Sequence, residues 1–148
     1  MQSEVEPVPP ATLQAALGMR VMVSRLRRRI LQVTDGQDLT PSQASVLMRI
    51  GKGDAVTAAA LAQAERVRQQ SMAVTLSSLD RQGLIHRTPD PADGRRQIVE
   101  LTDAGRERAE GVRQAGVEWL ARALAERYDD EERRTLAEAM RLLGRLTD

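Results

Sequence analysis

The 148-residue chain contains no cysteine and no phenylalanine, and Trp119, Tyr128, His86 and Lys52 each stand as the single residue of their type. Without cysteine there are no disulfides, no thiolate metal sites and no thiol redox switches. One histidine leaves no metal site of ordinary zinc-binding composition. So few aromatic rings cannot stack successive bases, which argues against single-stranded nucleic acid and sequence-specific RNA as ligands. No apolar run follows a basic start at the N-terminus, and no stretch approaches the ~20 apolar residues of a membrane span. A cytoplasmic protein without membrane contact is expected. Catalytic constellations are missing too: no nucleophile sits beside a base, no carboxylate pair marks a cleft, and Gly51-Lys52-Gly53-Asp54 lacks the spacing of a phosphate-binding loop. Neither an enzyme nor a cofactor is expected.

The core must be aliphatic, built from Leu, Val, Ile, Met and Ala at roughly 25 cal/mol per Å² buried. The length suits one domain, or one domain with an appended dimerisation module. The net charge of +1 says little, but its distribution says more. Between Arg66 and Arg96, six arginines (Arg66, Arg68, Arg81, Arg87, Arg95, Arg96) face only Asp80, Asp90 and Asp93. Guanidinium groups suit bidentate contacts to phosphate and guanine, although a general preference for arginine over lysine accounts for most of this bias.

Residues 1–10 carry acidic residues and prolines with almost no periodicity, and read as a disordered tail. From Ala11 to Thr34, Leu13, Leu17, Val21, Leu26, Ile30 and Val33 recur at helical spacing, ended by Asp35-Gly36-Gln37. Arg25, Arg27, Arg28 and Arg29 on this helix read first as a solvated face, with contact to DNA phosphate or an acidic partner helix as the other use. Thr40, Pro41 and Gln43 spell a capping box with proline at the first helical position, for a helix to about Ile50. Ala55 and Val56 suffice for one rung of a sheet, and Thr57 caps a short alanine-rich helix.

A second, more polar helix follows over Arg68 to Gln82, with Met72, Leu76 and Leu79 inward and Gln69, Gln70, Ala73 and Ser77 outward. Gly83 ends it in a left-handed residue. Leu84–Thr88 and Gln97–Leu101 read as strands joined by a turn at Asp93 and Gly94. Thr102 caps a long helix from Asp103 to about Arg127, with Ala109, Val112, Val117, Leu120 and Leu124 as its apolar set. Asp129 and Glu132 form a capping box for a last helix carrying Leu136, Met140, Leu143 and Leu146. Helix, tight connection, polar helix and hairpin make a helix-turn-helix with a wing. The fold class expected is mainly α with a small β-hairpin wing.

Thr57 to Ala62 (TAAALA), the helix end Asp80-Arg81-Gln82-Gly83-Leu84-Ile85 and, above all, DPADGR at Asp90 to Arg95 followed by IVELTDAG at Ile98 to Gly105 resemble the MarR family of bacterial transcriptional regulators. The resemblance extends from about Ala11 to Leu146. It implies a single domain over 11–148, with dimerisation helices at 11–34 and 103–148 and a winged DNA-binding lobe at 40–102. It further implies a homodimer, usually a repressor, reading a pseudo-palindromic double-stranded operator. A small-molecule effector would bind between lobe and dimerisation helices; Met19, Arg20, Met48 and Trp119 are placed for such a crevice, though each reads more simply as packing or surface. Where the family commonly has a leucine, a glycine and a serine or threonine, this chain has Glu65, Arg66 and Arg68, and Arg68 cannot cap as a serine does.

The DNA-contacting residues expected are therefore Arg68, Gln69, Gln70, Ser71 and Ala73 at the major groove, with Arg95 and Arg96 at the wing. Glutamine amides suit adenine edges, Arg68 suits guanine or phosphate, and Ser71 suits phosphate. Arg96 is favoured as the minor-groove contact and Arg95 as a brace pairing with Asp90 or Asp93. His86 reads as a packing or surface residue. The alternative function is a winged-helix module that binds another protein and not DNA.

Overall fold

The structure is a computed structural model that describes residues 7–33, 38–53 and 56–147. Its elements run α1 (Pro10–Val33), α2 (Pro41–Lys52), α3 (Ala58–Glu65), α4 (Gln69–Arg81), β1 (Ile85–Pro89), β2 (Gln97–Leu101), α5 (Asp103–Arg127) and α6 (Asp130–Gly144). The expected disordered tail loses its last residue to α1, because Pro10 needs no amide partner in a first turn; residues 1–6 and the helix-ending Asp35-Gly36-Gln37 lie outside the described residues.

Local chemistry sets most boundaries. The Thr40 hydroxyl accepts the Gln43 N–H at 3.2 Å while the Gln43 side chain accepts the Thr40 N–H at 2.9 Å, closing the capping box of α2. That helix continues past Ile50 to Lys52 and stops at Gly53, left-handed at φ 73°. Thr57, Thr102 and Asp129 cap α3, α5 and α6 through their side chains, and Glu132 completes the box at α6. Gly83, at φ 70°, turns the chain out of α4.

The two strands pair antiparallel, Ile85 opposite Leu101 and Pro89 opposite Gln97. Thr57 bridges to Ile98, and the Val99 N–H donates to Val56 O at 2.7 Å, an extra rung on the hairpin. The core lies in this lobe. Val46, Leu47, Leu61, Met72, Leu76, Leu79, Ile85 and Val99 are almost fully buried, joined by Val112 from α5.

Outside the lobe the apolar surface is largely uncovered. Neither α1 nor α6 has a buried residue. Leu13, Leu17, Val21, Met22 and Val23 on α1, Val117 on α5 and Met140 and Leu142 on α6 are exposed, so of the apolar set expected on α5 only Val112 is buried. Gly116 lets α1 approach: a Cβ there would stand 2.7 Å from Ile30 Cγ2.

Candidate nucleic-acid interface

The helix α4 is amphipathic in the expected sense. Met72, Leu76 and Leu79 face the core, and Gln69, Gln70, Ser71, Ala73 and Ser77 are exposed on the other side. Arg68 is the N-cap, with extended backbone and no side-chain hydrogen bond to the helix. The first N–H groups of α4 therefore lack a side-chain acceptor and carry the positive end of the helix dipole outward. Further along, Thr75 donates to Ser71 O at 3.1 Å, and Gln43 of α2 donates to Ser78 Oγ at 2.9 Å, seating α4 on α2.

Val74 was not singled out from the sequence and is 70% exposed, one turn after Gln70. The signal was its position off the Met72, Leu76, Leu79 face. An exposed valine on a helix edge otherwise made of amides and small residues offers an apolar contact for a thymine methyl.

In the wing, Arg96 and Arg95 occupy different positions. Asp90 N–H donates to Arg96 O and Arg96 N–H to Asp93 O, both at 2.9 Å, so Arg96 sits at the base of the loop. It lines one cleft with Thr57, Gln63 and Gln69, which brings the wing arginine beside the start of α4. Arg95 precedes it in the same loop and is likewise exposed. Its guanidinium makes no ion pair among the described residues, contrary to the brace expected of it; the two aspartates are engaged by backbone N–H groups instead. Asp90 Oδ1 accepts from Ala92 N–H at 2.8 Å and Asp93 Oδ1 from Arg95 N–H at 3.1 Å, so they stiffen the loop without a guanidinium. His86 stands on the ladder opposite Glu100, 3.3 Å from its carboxylate and half-exposed.

The three unusual residues at the start of the helix have different fates. Glu65, the last residue of α3, accepts the Ser45 hydroxyl at 2.7 Å, Arg49 Nε at 2.8 Å and Arg27 Nη2 at 3.3 Å. Arg27 also donates to Ser45 Oγ. Burial by itself would raise the Glu65 pKa, but the Ser45 and Arg49 hydrogen bonds and the charges of Arg27 and Arg49 outweigh it and hold the carboxyl below its ordinary range. Arg27 is thus partly engaged within the chain itself, not simply part of a solvated face. Arg66 is left-handed at φ 56°, a conformation glycine adopts without cost.

Arg27 and Val23 each line two cavities. One, of about 360 Å³, is lined also by Leu26, Ile30, Leu31, Ser45, Met48, Arg49 and Lys52. The other is lined by Met19, Arg20, Ser24, Ala64 and Arg66. Three of the four crevice candidates line these cavities. Trp119 lines neither; the Arg29 guanidinium lies over its ring, with Cζ 6.0 Å from the ring centroid.

Helix, left-handed turn, helix and a hairpin whose base arginine returns to the second helix define a winged helix-turn-helix protein. Residues 37–96 match the MarR family profile. An HTH-type transcriptional regulator of Mycobacterium bovis is 36% identical over 138 residues, spanning 93% of this chain and 94% of the relative. A crystal structure from Pseudomonas aeruginosa shares 35% identity with a TM-score of 0.70, covering 95% of this chain and 97% of that one. Wild-type MarR of E. coli, solved in its apo form, shares 25% identity with a TM-score of 0.71, covering 93% of this chain and 98% of that one. The chain belongs to the MarR family, whose members are transcriptional regulators and not enzymes. Among the described residues no helix is long and apolar enough to cross a membrane.

Proposed function

We propose that this protein is a homodimeric repressor, acting in the cytoplasm, that reads a pseudo-palindromic double-stranded operator and is released from it by a small molecule. The observation that carries the reading is the shared face formed by α4 and the wing: Gln69, Gln70, Ser71, Ala73 and Val74 exposed on either side of the buried Met72, with Arg96 in the same cleft as Gln69. In this reading Gln69 and Gln70 address adenine edges in the major groove and Arg68 addresses guanine or phosphate. Ser71 and the uncapped N–H groups of α4 take a phosphate, as helix N-termini do. Arg96 enters the adjacent minor groove, where narrow A·T tracts concentrate negative potential. Arg95, free of the aspartates, adds a phosphate contact.

Dimerisation is supported by the exposed apolar residues of α1, α5 and α6, which a second copy would cover. Residues 40–102 then form the reading lobe and the helices before and after it the dimer body. The apolar cavity between α1 and α2 suits a small molecule that changes the separation of the two lobes. Selection of bound fragments from the source genome by the purified protein tests the proposal. Enriched fragments should share an inverted repeat with half-sites about 10 bp apart centre to centre. Enrichment without a repeat would refute the dimeric reading, and no enrichment would refute DNA recognition.

A further inference from the structure

We propose that Glu65 is the positioning residue of the recognition helix: it ties the left-handed turn before α4 to Arg27 of α1 and to Ser45 and Arg49 of α2, so that α4 is aimed from the first helix rather than by a local cap. The proposal rests on the DNA-reading function above.

Three features carry it. The first is where Glu65 stands. Only Arg66, Val67 and Arg68 separate it from Gln69, and backbone bonds from Arg66 N–H to Gln63 O (3.2 Å) and from Val67 N–H to Ala62 O (3.0 Å) hold that turn against the end of α3. A shift of the Glu65 carboxylate is therefore passed to the start of α4 through a short, closed segment.

The second is what Glu65 binds. Its side chain is 11% exposed, with Oε1 receiving Arg27 and Arg49 and Oε2 receiving Ser45, so donors from two other helices converge on one carboxylate. By contrast, Asp103–Arg106, Glu110–Arg113, Asp130–Arg133 and Glu138–Arg141 each stay within one turn of one helix. Such exposed pairs order little, whereas a mostly buried, fully hydrogen-bonded carboxylate specifies one arrangement of the helices it joins.

The third is what the turn lacks. Arg66 holds a conformation that favours glycine, and Arg68 supplies no cap bond, so the segment has little local reason to keep its geometry. The Glu65 cluster supplies a long-range one.

The test uses the full-length protein and the operator duplex recovered by fragment selection, comparing wild type with Glu65→Gln, Arg27→Ala and the double variant. Removing a negative charge beside a DNA-binding face should by long-range electrostatics tighten binding. Positioning predicts the opposite sign: Glu65→Gln weakens operator binding by about tenfold. Its salt slope stays unchanged, because no phosphate contact is lost. The double variant should bind no worse than the weaker single variant, since both break one cluster. As a reference, Arg96→Ala should weaken binding and lower the salt slope by about one unit.

In the free protein, amide exchange at residues 67–71 should speed up about tenfold in Glu65→Gln and Arg27→Ala, with exchange in the wing loop unchanged. This arm needs no DNA. If wild type bound no duplex, the DNA-reading function would fail and exchange alone would decide the positioning role. Should Glu65→Gln fail to fold, Arg27→Ala, a half-exposed residue on α1, carries the exchange readout. Operator binding by Glu65→Gln as tight as wild type or tighter, or unchanged exchange at residues 67–71, would overturn the proposal.

Discussion

Replacing Gly105 with alanine examines the joint between the wing and α5. Gly105 lies in the first turn of α5, where its N–H donates to the Thr102 hydroxyl at 3.0 Å; that hydroxyl donates to Gly83 O at 2.6 Å, and the Thr102 N–H to Leu84 O at 3.1 Å. A Cβ on Gly105 would stand 1.9 Å from Leu84 O, a backbone atom at the start of the wing. Reaching the 3.0 Å limit of real contacts requires α5 and the wing to part by about 1.1 Å (3.0 − 1.9). Overpacking of this kind costs typically 1–3 kcal/mol and occasionally more, and losing the Thr102–Leu84 hydrogen bond adds about 1 kcal/mol. The better helix propensity of alanine returns at most about 1 kcal/mol. The net expectation is a destabilisation of about 2 kcal/mol, or roughly 4–8 °C in Tm for a chain of this size. Thermal and urea unfolding of both proteins at one fixed concentration would measure it. If alanine raised Tm by a few degrees, as helix propensity alone would have it, the close approach of Gly105 to Leu84 would be refuted.

Other consequences concern the start of α4. Arg66→Gly should stabilise the protein by about 0.5–1 kcal/mol, because relief of the left-handed arginine exceeds the added freedom of glycine in the unfolded chain; a loss in urea titration would contradict this. Arg68→Ser should stabilise by about 0.5–1 kcal/mol through a new cap, yet weaken operator binding and lower its salt slope by about one unit. Stability and affinity rising together would show that Arg68 is no DNA contact. Glu65, with its pKa lowered on folding, contributes stability that is full above the ordinary carboxyl range and lost as pH falls through the lowered value. Glu65→Gln should thus be less stable than wild type at neutral pH, with the gap closing as the solution is acidified. A constant gap would argue against an ionised Glu65 in the fold.

What could be read in the sequence was local. Thr40 with Gln43, Asp129 with Glu132 and Thr102 with Gly105 act across three residues, and the period of Met72, Leu76 and Leu79 names the buried face of α4 without reference to anything distant. Glu65 was visible only as an anomaly, because its partners lie 16, 20 and 38 residues away. Helical periodicity marks Arg27 as polar but cannot say which carboxylate it meets. The expected Arg95 brace is absent for a related reason: the side chains of Asp90 and Asp93 accept from backbone N–H groups of the same turn, which a count of charges along the sequence does not show. The apolar surplus of α1 and α6 was legible as excess, but a pattern gives the area to be covered and not the surface that covers it.

The central claim, two lobes joined in one dimer and reading one face of the duplex, is tested most directly by operator spacing. Inserting 5 bp between the half-sites of the selected operator turns one half-site to the opposite face of the helix while leaving every contacted base in place. The account predicts that the affinity of the wild-type protein falls by at least about a hundredfold, toward its non-specific level. Equal affinity for the native and the inserted operator would contradict it.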